Sequence, residues 1–236
     1  MCTGRLLTGG TLGDHIHLEK VVPTSADEVG VNTESDEGSV SGRPDTETWS
    51  AVPSSKLLQL VKDVALGLHY LHTNGVTHCD LKHANVMIEH GHQTVRAKLC
   101  DFGLSTVRSA PLEHGFPCSF SSMGTLRYQA PEMTQLMADS SCRLVPSDKL
   151  EIVHHARIDV YAYGLLLYEA MHGCIFFGEV SPIAAAARAG LGHERPPFAL
   201  RPEHSSLSAV IGQCWDAQAE RRPNMQEVVE ALSALE

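Results

Sequence analysis

The stretch VTHCDLKHANVMI, residues 76–88, decides how the rest of the chain is read. It places an acid, Asp80, a cation, Lys82, and an amide, Asn85, within six positions, then runs into the apolar triplet Val86–Ile88. Upstream, Leu57, Leu60, Val61, Val64, Leu68 and Leu71 recur at spacings of three and four, the stripe of a helix buried on one face. Ser54 or Ser55 caps that helix and Asn74-Gly75 ends it. Downstream, Val86–Ile88 and Lys98–Cys100 flank a polar stretch around Gly91, the pattern of a small β-hairpin. The polar triad therefore sits in the connection between a helix and a hairpin.

Further along, Asp101-Phe102-Gly103 follows Asp80 by 21 residues, just past the second apolar run. Thirty-one residues on comes Glu132, in GTLRYQAPE (124–132), followed by DVYAYGLLLYE (159–169) and CWDAQAERRP (214–223). Between the hairpin and Asp159 the pattern predicts a long irregular segment. Helices are expected at 159–171, 182–189, 205–215 and 224–235. The last opens with Asn224-x-x-Glu227, a cap and its reciprocal acid. The fold expected is mainly α with one small β-hairpin.

The ordered motifs resemble the protein kinase family, specifically its C-terminal lobe, over about residues 51–236. The family's catalytic loop, H-R-D-L-K-x-x-N, is matched by His78-Cys79-Asp80-Leu81-Lys82-His83-Ala84-Asn85, its D-F-G by residues 101–103 and its A-P-E by Ala130-Pro131-Glu132. Trp215, Arg222-Pro223, Tyr161 and Gly164 are most similar to the tyrosine-kinase-like group of Ser/Thr kinases. The resemblance implies ATP and Mg²⁺ as the chemistry's companions and a protein Ser or Thr hydroxyl as acceptor. Asp80 is then the expected acceptor of the hydroxyl proton. Lys82 places charge on the transferred phosphoryl, and Thr125 joins the loop to the substrate-binding segment. Asn85 and Asp101 are oxygen ligands suited to a hard divalent ion. Met87 resembles the apolar floor under the adenine. Gly9-Gly10-Thr11-Leu12 looks like the stretch after the family's hinge, with Asp14 near the ribose. Glu132 should pair with Arg222, and Asp159 should hold the backbone of the catalytic loop.

Three departures qualify the resemblance. Cys79 replaces the Arg that in many kinases pairs with a phosphorylated activation segment, so that route of activation is put in doubt; Ser119, Ser121 and Ser122 are phosphosites by position only. Only Lys20, Lys56 and Lys62 precede the catalytic loop, and none stands in a V-A-I-K-like strand; no Gly-rich phosphate loop is spelled either. The expectation is a chain without the family's N-terminal lobe. It would transfer phosphate weakly alone, and the apolar top of its lobe would call for a covering partner. Lastly, 26 residues separate Glu132 from Asp159, a loop insertion. The organisation expected is a hinge-like remnant with a short helix at 1–18, a disordered acidic insertion at 19–50 and the C-lobe at 51–236. The retained Asp80, Lys82, Asn85 and Asp101 favour an enzyme. The competing reading is a non-catalytic C-lobe serving as a protein-binding module.

Composition agrees with a globular chain. The 236 residues are 43% hydrophobic and 19% charged, with a formal net charge of −10. That charge argues against a nucleic-acid backbone or an anionic membrane surface as partner. Residues 19–50 hold eight acidic residues, two basic ones and nine Ser or Thr, too polar to offset their ordering entropy. Val160–Phe177 is the most apolar stretch, but Glu169 and His172 mark it as a buried helix and not a membrane span. Seven cysteines without C-x-x-C exclude a disulfide framework or zinc ribbon and fit a reducing, cytoplasmic setting. The close histidine pairs lack H-E-x-x-H and read as solvated or core residues.

Overall fold

The computed structural model describes residues 10–15, 54–91, 94–107, 116–117, 125–139, 144–145, 156–197 and 205–235. The acidic window 19–50 and Ser119, Ser121 and Ser122 lie outside these residues.

The predicted first helix is α2, Ser54–Thr73, preceded by the single turn α1, Leu12–His15. The α2 stripe is real: Leu60, Val61, Val64 and Leu68 are fully buried. Each such side chain contributes about 1.5–3 kcal/mol by leaving water. The hairpin pairs β2, Val86–His90, with β3, Val95–Leu99, antiparallel, in the register Val86↔Leu99 through His90↔Val95. It is longer than expected at its turn end and stops one residue short of Cys100. The sequence conceals this because His90 and Arg96 alternate outward and look like loop residues. Asp63 of α2 fixes the hairpin against the helix by accepting from Arg96 Nε at 2.8 Å and from the Ala97 N–H at 3.0 Å.

Two further pairs are short. β1, Val76–Thr77, joins β4, Thr106–Val107, and β5, Phe116–Pro117, joins β6, Leu144–Val145. The segment expected to be irregular contains a helix, α3, Pro131–Asp139, and so does the start of the supposed insertion. Its signals are in the sequence: Pro131 takes the first helical position, where a missing N–H costs nothing, and Glu132 suits the first turn.

The central helix is α4, Arg157–His172, from Ile158 to Met171 buried throughout, and closed by Gly173 in the left-handed conformation at φ 67°. Around it lie α5 (Pro182–Gly190), α6 (Leu207–Cys214) and α7 (Met225–Ser233). All four occur where periodicity predicts, at most two residues adrift at their ends. The α7 capping box forms as read: Glu227 N–H donates to Asn224 Oδ1 at 3.0 Å and Asn224 N–H to Glu227 Oε2 at 2.7 Å. Gly164 is required where α4 meets α6, since a Cβ there would stand 2.9 Å from Cys214 Cβ. The layout is a helical lobe with the hairpin at one end. No helix among the described residues is long and apolar enough to cross a membrane.

Candidate active site

The loop between β1 and β2 is held from below by α4. Asp159, 1% exposed, accepts the His78 N–H at 2.7 Å and the Cys79 N–H at 2.9 Å. This is the role expected of it. The same carboxylate lies 2.8 Å from His72 Nε2 at the end of α2, a partner the sequence did not suggest. Cys79 has φ 66°, a left-handed conformation that costs a non-glycine residue roughly 1–2 kcal/mol. The two N–H bonds to Asp159 hold it there.

His78 is fully buried and links the loop to the segment after β3. Its Nδ1 accepts the Asp80 N–H at 3.3 Å, which leaves Nε2 as the protonated nitrogen, donating to the Cys100 carbonyl at 3.1 Å. The Cys100 N–H in turn donates to the Asn85 carbonyl at 3.0 Å. By these bonds Asp101, the next residue, is tied to both ends of the 80–85 loop. Asp101 is exposed, with φ 61°, a conformation Asp tolerates; its Oδ1 accepts the Gly103 N–H at 3.3 Å.

Asp80 is the hub. Its Oδ1 accepts from the Thr125 N–H at 2.7 Å and the Thr125 hydroxyl at 2.9 Å. Its Oδ2 accepts from Lys82 Nζ at 2.8 Å and Asn85 Nδ2 at 3.0 Å. Lys82 Nζ also donates to Thr125 Oγ1 at 2.8 Å, closing a ring of three side chains. Asp80, Lys82, Asn85 and Thr125 are thus brought together although Thr125 comes 45 positions after Asp80.

Asn85 is buried, and its Nδ2 also donates to the Asp80 carbonyl at 2.8 Å. With its nitrogen turned to Asp80, the amide oxygen faces the other way. That oxygen and the exposed Asp101 carboxylate are hard donors, the type a divalent ion such as magnesium takes. Such an ion takes one or two protein oxygens and completes its shell with phosphates and water. No group of three or more His, Cys, Asp and Glu placed to hold a metal ion by themselves occurs among the described residues.

The other expected site residues fare differently. Met87 bridges to Thr11, and the Ile88 N–H donates to the Gly10 carbonyl at 2.9 Å, so the 10–15 turn runs alongside β2. Met87 is half-buried on the face opposite the buried Val86 and Ile88. Asp14 is exposed on its own turn. Its Oδ2 accepts from the Thr11 N–H at 2.8 Å and the Thr11 hydroxyl at 2.7 Å, so one carboxylate oxygen caps the single helical turn.

Cys79 stands where the family has Arg. Burial first, then the Asp159 charge, pushes its thiol up to about 12, so it is neither cation nor thiolate at neutral pH. Beside it a cavity of about 30 Å³ reaches Asp80, Thr125, Gln129 and Met133, room for one or two waters. Below the site, Arg222 makes a two-pronged pair with Glu132, both bonds 2.7 Å, as the sequence suggests. Sequence reasoning missed one further cluster, in which Tyr128 donates to Glu169 and His83 approaches both.

The comparisons agree with this geometry. The family model of the protein kinase domain matches residues 39–232. The chain belongs to the protein kinase family. Within it, the chain falls in the tyrosine-kinase-like group. It is similar to the serine/threonine/tyrosine-protein kinase HT1 of Arabidopsis thaliana, 30% identical over 75% of this chain and 39% of that protein. It is also similar to the serine/threonine-protein kinase STY17 of the same plant, 31% identical over 76% of this chain and 27% of STY17. A third relative is the dual specificity protein kinase pyk3 of Dictyostelium discoideum, 27% identical over 76% of this chain and 12% of pyk3. The chain thus spans well under half the length of these relatives.

Proposed function

We propose that this chain carries the C-terminal part of a protein kinase catalytic domain, passing the γ-phosphate of ATP to Ser or Thr hydroxyls of proteins. The observation that carries the reading is the double occupancy of both Asp80 oxygens by Lys82, Asn85 and Thr125. A carboxylate has about four lone-pair sites. All four are filled, so proton capture requires one donor to leave. Lys82 is the donor free to do so. It swings toward the phosphoryl group in transfer, and the vacated site on Oδ2 takes the acceptor hydroxyl's proton. Thr125 and Asn85 keep the carboxylate oriented meanwhile. Magnesium held at Asn85 and Asp101 would supply charge neutralisation on the phosphates.

Lys82, two positions after Asp80, supports Ser/Thr acceptors; the printed names of HT1 and pyk3 extend the alternatives to tyrosine. We place the domain at 51–236, after a hinge-like segment at 1–18 and an acidic insertion at 19–50. Of the lysines described, the one on a strand, Lys98, is paired with Glu89 across the hairpin at 2.7 Å and serves no nucleotide. In this reading, phosphate grip of the family's Gly-rich-loop type is supplied by an N-terminal lobe. Transfer by residues 1–236 alone is weak, and a partner covers the exposed Phe102 and Val107. The free Cys79, Cys100, Cys174 and Cys214 suit a reducing, cytoplasmic setting.

The test incubates the protein with Mg²⁺, γ-labelled ATP and peptides carrying Ser, Thr or Tyr as sole acceptor. It is run with and without the N-terminal lobe of a tyrosine-kinase-like kinase added in trans. Label on Ser and Thr that disappears in Asp80→Asn is expected. Label on Tyr at a similar rate makes the enzyme dual-specific. No label and no ATP binding in either arm leaves the binding-module reading.

A further inference from the structure

The catalytic loop is joined to the segment 125–130 at two places. The first is the Asp80–Lys82–Thr125 ring, which uses the reacting side chains and opens when Lys82 moves. The second uses none of them. His83 Nδ1 lies 2.7 Å from the Tyr128 hydroxyl and 3.3 Å from Glu169 Oε2. The Tyr128 hydroxyl donates to the same Glu169 oxygen. Glu169, 0% exposed, spends its other oxygen on the Phe176 N–H at 2.9 Å. Since the Tyr128 proton goes to Glu169, His83 Nδ1 carries its own proton and donates to Tyr128 and Glu169 together.

The ring of His83 is fixed from the other side as well. A Cβ on Gly13 would stand 2.2 Å from His83 Cδ2, so only glycine lets α1 pack there. Arg127, next to Tyr128, donates to the carbonyls of Phe176, Phe177 and Val180 at 2.8, 2.5 and 2.9 Å. The 125–130 segment is thereby bolted to the 176–180 turn, and His83 is its link back to the loop that bears Asp80 and Asn85. Burial, then the Glu169 charge, holds the Tyr128 phenol well above its ordinary range, so it stays a donor.

We propose that His83 is a positioning residue: it keeps the acceptor-binding segment in register with Asp80 while Lys82 is away from the carboxylate. The inference rests on the kinase reading above and deepens it. Displacements of about 1 Å in such alignment cost up to 10²-fold in rate.

The test compares His83→Ala and His83→Asn, whose amide N–H can stand in for Nδ1–H, in the labelled-ATP assay with the N-terminal lobe supplied. His83→Ala should lower peptide kcat/KM by about tenfold to a hundredfold, with the KM for ATP unchanged, and His83→Asn should restore most of it. An unchanged His83→Ala, an equal rise in both KM values, or a His83→Asn no better than alanine overturns the proposal. If the parent protein transfers nothing, the kinase reading is what has failed. Amide hydrogen exchange then decides the positioning role. Exchange at 125–130 that quickens in His83→Ala and recovers in His83→Asn supports it; exchange that is the same in all three proteins overturns it.

Discussion

Asp159 Oδ1 accepts the N–H of Cys79 at 2.9 Å across 80 positions of sequence, and Cys79 keeps its left-handed φ of 66° under that bond. The central helix therefore dictates the shape of the catalytic loop. Replacing Asp159 by Ala leaves two backbone donors and His72 without an acceptor. A buried donor left unsatisfied in this way costs roughly 1–3 kcal/mol. Denaturant unfolding should show a loss of that size, and phosphoryl transfer should fall with it; a loss within experimental scatter would contradict the role given to Asp159.

Arg222 is 1% exposed and binds Glu132 through both guanidinium arms. Arg222→Lys keeps the charge but loses the fork, and it also loses the bonds to the carbonyls of Asp216 and Arg157. Arg222→Ala should destabilise by about 3–5 kcal/mol and Arg222→Lys by a large part of that. Thermal melts of the two variants beside the parent are sufficient to check the order.

Thr125 gives Asp80 both an N–H and a hydroxyl bond, and receives Lys82. Thr125→Ser keeps the hydroxyl and should keep activity. Thr125→Ala should lose about tenfold, and Lys82→Met, which removes the cation that moves to the phosphoryl group, about 10²–10³-fold. Steady-state assays with peptide in excess rank the three. Equal activity in Lys82→Met and parent would remove Lys82 from the mechanism.

The thiols supply a pH test. Burial pushes Cys79 and Cys214 up to about 12 from an ordinary value of 9.0. Their folded-state pKa values are raised, so the unfolded chain gives up these protons first. The associated stability is fully present below about pH 9 and is lost as pH rises through 12. Cys79→Ser together with Cys214→Ala should flatten the alkaline limb of stability against pH. At pH 8, both thiols should resist alkylation until the chain unfolds, which mass spectrometry of the modified peptides would show.

What could be read from the sequence was what lies close together or is spelled by ordered motifs. The α2 stripe, the Asn224–Glu227 box, and the placement of Asp80, Lys82 and Asn85 all belong here, whereas Thr125, 45 positions from Asp80, came from resemblance. Glu132–Arg222 and Asp159 came from resemblance and not from spacing, since 90 and 80 positions separate them from their partners. Helix α3 was missed because nine residues give too little periodicity, although Pro131-Glu132 marks its start. The His83–Tyr128–Glu169 cluster had no local signature: its members come from two separate 3₁₀ turns and a helix interior. Asp14 adds a local bond that spacing alone did not bring out, its carboxylate accepting from Thr11 three positions before it.

The Arg127 clamp has a consequence for assembly. Its three acceptor carbonyls belong to residues that follow α4, and Glu169 reaches the same turn through Phe176. The floor on which a peptide would rest is thus completed only after the chain has passed through its central helix and doubled back. A single nick between Gly173 and Val180 would free the carbonyls that anchor this floor together with the buried Phe176 and Phe177, tying recognition of the acceptor to the packing of the interior.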